Sequence, residues 1–67
     1  MTLKEFVVNE RVKREFTISD FSKATGVTSP VLGKIEKGYV PTQRTIGKIL
    51  NYLGYEYSEA KEFIDNI

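Results

Sequence analysis

The side chains that most often carry out protein chemistry are sparse in this sequence, and two of them are missing. There is no histidine and no cysteine among the 67 residues. Ser–His and Cys–His nucleophile pairs therefore cannot be assembled. Zinc sites of the Cys/His kind are excluded too, and neither a metal nor a cofactor is expected. Carboxylates are present, but no pair stands out as an acid/base couple, and so short a chain can hardly enclose a substrate. The string Gly33-Lys34-Ile35-Glu36-Lys37-Gly38 has the two glycines of a phosphate-binding loop. Tyr39-Val40 follows where such a loop needs Lys-Ser/Thr, and the string falls in a helical segment, so it is set aside. An enzyme is not expected.

What remains is the chemistry of charge. Ten Lys/Arg face nine Asp/Glu, a net charge of +1. That total is low for a nucleic-acid binder, where a strongly basic face is usual. The distribution says more. Residues 1–48 carry nine basic and five acidic side chains, whereas residues 49–67 carry Lys61 alone against Glu56, Glu59, Glu62 and Asp65. The two parts suit different partners, the plain alternative being a solvated surface of mixed charge. Arg11 and Arg14 lie one helical turn apart and read first as solvated helix charges, and second as a basic helix face that brushes a nucleic-acid backbone.

Five short helices must position these groups. Thr2 with Glu5 three residues on gives a capping-box pattern, and Leu3, Phe6 and Val7 supply an apolar face. Thr17 with Asp20 repeats the pattern, and Gly26 closes that helix. Thr28 offers a third cap, Pro30 is tolerated in a first turn, and Gly38 stops the helix. Pro41-Thr42 opens a fourth helix with the stripe Ile46, Ile49, Leu50 and Leu53, closed by Gly54. Ser58 begins a last, acidic helix over about 58–67, with Ala60, Phe63, Ile64 and Ile67 on its apolar side. That stripe is assigned first to closing the core and second to a homodimer seam. The expected fold is all-α, one compact five-helix domain spanning 1–67. No run is long enough to cross a bilayer, and Phe6-Val7-Val8 is too short for a signal peptide, so a cytoplasmic protein with no membrane contact is expected.

Residues 17 to about 37 form two short helices joined by a turn containing Gly26, the pattern of a helix-turn-helix. Phe21, Val27, Leu32 and Ile35 are its apolar positions, with Val27 plugging the corner. Thr17–Tyr55 resembles the Cro/cI-type (XRE-like) helix-turn-helix regulators of phages and bacteria, whose domains are of the lambda-repressor-like type. The residues that carry the resemblance are Thr-Gly-Val-Thr (25–28), Lys-Ile-Glu-Lys-Gly (34–38), Pro41-Thr42, Lys48-Ile49 and Leu53-Gly54.

The resemblance implies a small transcriptional regulator that binds double-stranded DNA as a repressor or Cro-like protein. The helix over about 29–37 would lie in the major groove, with Ser29, Pro30, Gly33 and Lys34 toward base edges. Thr28 would cap it. The N-termini at Thr17–Ser19 and Thr42–Arg44 would meet phosphates, helped by Lys34 and Lys37. Thr17, Ser19, Thr28, Ser29, Pro30, Gly33, Lys34, Lys37, Thr42 and Arg44 are therefore the expected DNA-binding residues.

Two departures open a second reading. Ile18 and Ser22 stand where the family commonly has Gln and Ala. The recognition positions also lack the Arg, Gln and Asn side chains that read bases in two-pronged fashion. Ile18, Pro30, Val31 and Gly33 would instead suit a protein-binding module, concretely a phage antirepressor that captures a repressor and blocks its DNA binding. Fold alone does not separate the two.

Overall fold

The computed structural model describes the whole chain, residues 1–67. It has five helices and no strand: α1 (Leu3–Lys13), α2 (Ile18–Thr25), α3 (Ser29–Ile35), α4 (Gln43–Leu53) and α5 (Tyr57–Ala60). This is the all-α, five-helix architecture expected from the sequence.

The first two helices start where side chains satisfy N–H groups that have no intrahelical partner. The Thr2 hydroxyl accepts the Glu5 N–H at 3.2 Å, and the Glu5 carboxylate accepts the Thr2 N–H at 2.8 Å. Thr17 and Asp20 close the same reciprocal pair at 3.0 Å each way. These bonds, backbone N–H first and hydroxyl second, hold the Glu5 and Asp20 carboxyls below their ordinary range.

No glycine marks the end of α1. The helix closes in a Schellman turn, with the Phe16 N–H on the Arg11 carbonyl at 3.1 Å and the Glu15 N–H on the Val12 carbonyl at 2.9 Å. Glu15 takes the left-handed position at φ +57°. A side chain there costs roughly 1–2 kcal/mol.

The predicted apolar stripes meet in one core. Leu3, Phe6 and Val7 of α1, Phe21 of α2, Val27, Leu32 and Ile35 pack with Ile46, Ile49, Leu50, Ala60 and Ile64. Three rings close one end: Phe6 meets Tyr55 edge-on at 5.6 Å and Phe63 at 5.7 Å, and Tyr55 meets Phe63 at 5.4 Å.

The C-terminal segment differs from the expected 58–67 helix. It forms a single turn, Tyr57–Ala60, with Glu56 rather than Ser58 at its start. The Glu56 N–H finds the Glu59 carboxylate at 3.0 Å, an acidic pairing that Ser58 and Lys61 cannot make. Beyond Ala60 the chain turns back to the N-terminus. The Met1 ammonium donates to the Phe63 carbonyl at 2.9 Å, the Asp65 N–H to the Met1 carbonyl at 2.8 Å, and the Leu3 N–H to Asn66 Oδ1 at 2.8 Å. Asn66 thus caps a helix more than sixty residues away in sequence. Ala60 and Ile64 are buried and Phe63 and Ile67 half-buried against the same core. The stripe packs on the core of its own chain.

Candidate nucleic-acid interface

The α2–α3 junction is built around two small residues. Gly26 sits at φ +78°, where a Cβ would be strained, and its N–H bonds the Ser22 carbonyl at 2.9 Å. The Thr25 hydroxyl donates to the Phe21 carbonyl at 2.8 Å and accepts the Val27 N–H at 3.2 Å. Val27 is thereby driven inward and plugs the corner, buried as expected.

α3 ends earlier than the 29–37 expected. The regular helix stops at Ile35, and Glu36 and Lys37 lie in a tighter closing turn. That turn is a second Schellman arrangement around Gly38 at φ +106°. The Tyr39 N–H reaches the Lys34 carbonyl at 3.0 Å and the Gly38 N–H the Ile35 carbonyl at 2.9 Å.

Leu32 and Ile35 face inward and are fully buried. Pro30, Gly33, Lys34 and Lys37 fall at the i, i+3, i+4 and i+7 spacing of the opposite face. Pro30, Lys34 and Lys37 are exposed, and Ser29, Val31 and Gly33 are half-exposed. Thr28 stands at the N-cap, exposed, and its hydroxyl makes no capping bond.

The N-termini of α2 and α4 differ electrostatically. At α2, Thr17 and Ser19 are exposed, but the Asp20 carboxylate already occupies the cap with negative charge. Ile18 beside them is half-buried and packed on the core. At α4, the Thr42 hydroxyl accepts the Thr45 N–H at 3.4 Å and pairs with the Thr45 hydroxyl at 3.2 Å. No acidic residue lies in the first turn of α4, and Gln43 and Arg44 are exposed. The helix dipole and free N–H groups there face solvent without a counter-charge.

Ion pairs sort the cations into two groups. Arg11 is bound to Glu36, and Lys13 and Arg14 are bound to Glu10. Burial pushes the Glu10 carboxyl up, but the hydrogen bonds from Lys13 and Arg14 outweigh it and hold the group below its ordinary range. Arg14 also lies over the Tyr52 ring, 5.9 Å from its centre. Arg11 and Arg14 are therefore structural groups and not solvated charges. By contrast Lys23, Lys34, Lys37, Arg44 and Lys48 form no ion pair, nor do Lys4 and Lys61 outside this segment. The acids of α2 and α3 are already engaged, Asp20 by a cap and Glu36 by Arg11.

Lys48, quoted in the sequence only among the residues that carry the resemblance, lies beside this face and was not among the expected contact residues. It lines a cleft of about 140 Å³ with Gly26, Val27, Thr28, Val31 and Thr45. The cleft brings the first turn of α3 against α4, and Lys48 belongs with Arg44 because four residues make one helical turn. That spacing was the available signal.

A Gly-turned helix pair that offers one exposed helix face, flanked by cations without partners, defines the class of helix-turn-helix DNA-binding domains. Residues 9–59 match the helix-turn-helix family, so the chain belongs to it, among the Cro/cI-type (XRE-like) regulators with lambda-repressor-like domains. No curated protein and no solved structure matches the chain. No helix is long and apolar enough to cross a membrane.

Proposed function

We propose that this chain is a small Cro- or repressor-like transcription regulator that lays α3 in the major groove of duplex DNA. The observation that carries this reading is the sorting of charge. All five cations between α2 and the end of α4 lack ion-pair partners, whereas Arg11, Lys13 and Arg14 are paired. Lys34, Lys37 and Arg44 contact phosphates, joined by the open N-terminus of α4 at Thr42 and by the hydroxyls of Thr17, Ser19 and Thr28. Ser29, Pro30 and Gly33 approach base edges. Reversing charge with Lys34→Glu, Lys37→Glu and Arg44→Glu together abolishes duplex binding while the helical circular-dichroism signal is retained. Unchanged binding by that variant refutes the proposal.

A second reading is supported by the composition of α3, which holds no Arg, Gln or Asn. On this reading Ile18, Pro30, Val31 and Gly33 dock on a repressor, and the chain acts as an antirepressor. Val31→Asp and Gly33→Arg then abolish capture of the repressor. Capture that survives both substitutions eliminates this alternative.

A further inference from the structure

The outer face of α3 has a glycine that nothing inside the protein requires. Gly33 lies mid-helix without a positive φ, and a Cβ built there would meet no atom within 4 Å. Gly26 differs, since its backbone angle demands glycine. Glycine in a helix interior is unfavourable relative to alanine, and no internal packing at Gly33 repays that cost. Its bare backbone leaves open space on the outer face of α3. One turn earlier on the same face stands exposed Pro30, an apolar ring with no N–H to donate. Lys34 follows directly and Lys37 stands one turn later, both exposed and without ion pairs.

From this we infer that Pro30 and the bare backbone at Gly33 read thymine methyl groups by close apolar contact. The absent side chain lets the duplex come against the helix. The inference rests on the DNA-binding reading above and names what α3 recognises. Among the base pairs, only those containing thymine present a methyl group in the major groove. The free cations beside this face give it the charge complementarity for a duplex. Hydrogen-bonded base reading has few agents here, since Ser29 is the one uncharged polar side chain on α3.

The test begins with a pool of short random-sequence duplexes made with thymine, from which the chain selects its preferred sequence. Binding to that duplex is then compared with binding to its twin, made with deoxyuridine in place of thymidine. Affinity is expected to fall about fourfold for each contacted methyl that is lost. Gly33→Ala is measured beside it. That variant melts about 4–8 °C higher than the parent, because helix propensity improves. It nonetheless binds the thymine duplex about tenfold more weakly, because the added methyl collides with the groove. Equal affinity for the two twins, or undiminished binding by Gly33→Ala, overturns the thymine assignment and leaves DNA binding standing. Retention of no duplex at low salt overturns both, and the open face of α3 then belongs to a protein partner.

Discussion

Arg11 of α1 and Glu36, at the close of α3, form a two-pronged ion pair. The Arg11 Nε donates to Oε2 at 2.7 Å and a terminal guanidinium nitrogen to Oε1 at 3.0 Å. The other terminal nitrogen reaches the Phe16 carbonyl at 2.9 Å, just beyond the turn that ends α1. One side chain therefore fixes the end of α3 against the segment leading into α2. The two side chains are 20% and 13% exposed. Removing either leaves its partner largely desolvated and unpaired, so Arg11→Ala or Glu36→Ala is expected to cost about 2 kcal/mol. Urea denaturation measures this, and the double variant should lose less than the sum of the singles. Arg11→Lys should not rescue, because an ammonium cannot reproduce the planar fork.

Backbone conformation makes an opposed pair of predictions. Gly26→Ala should destabilise by roughly 1 kcal/mol, since the new Cβ must sit at a positive φ. Glu15→Gly should stabilise by a few tenths to about 1 kcal/mol, relieving the same strain less the added freedom of the unfolded chain. Thermal melts of the two variants would move in opposite directions.

Acid should unfold the protein through three carboxylates. Glu5 and Asp20 are lowered by their capping bonds, and Glu10 by Lys13 and Arg14 against its own burial. A lowered value means that the folded chain binds fewer protons than the unfolded chain. The stability these groups supply is complete above their ordinary values of 4.5 and 3.8 and is lost as pH falls below them. The melting temperature should therefore be level near neutral pH with respect to these groups and drop below about pH 4.5. Asp20→Asn and Glu10→Gln should flatten that drop.

Much of the fold was legible because local chemistry wrote it. Thr2 with Glu5 and Thr17 with Asp20 announce two helix starts, and Gly26, Gly38 and Gly54 mark helix ends. The unreadable parts depend on distant partners or on exceptions. Glu15 ends α1 without a glycine, and Asn66 caps a helix from the far end of the chain. Glu56 displaces Ser58 as the start of α5, since its partner Glu59 is acidic where Lys61 is not. At the candidate interface, residue types pointed to Lys34, Lys37 and Arg44, which the structure leaves exposed and without ion pairs. They could not show that Arg11 and Arg14 were already engaged, because those partners lie across helices or compete along one. Asp20 shows the same limit from the other side, being both a good helix cap and a negative charge at an expected phosphate contact.

The most direct test of the account is the affinity for duplex DNA as a function of salt. Each neutralised phosphate contributes about −0.9 to the slope of log K against log salt, so phosphate contacts by Lys34, Lys37 and Arg44 predict a slope of about −3. Lys34→Ala, Lys37→Ala and Arg44→Ala should each make it shallower by about 1, whereas Arg14→Ala should lower stability and leave the slope unchanged. A steep slope that responds in this pattern is the predicted result. Absence of duplex binding at low salt, or binding that salt does not weaken, would contradict it.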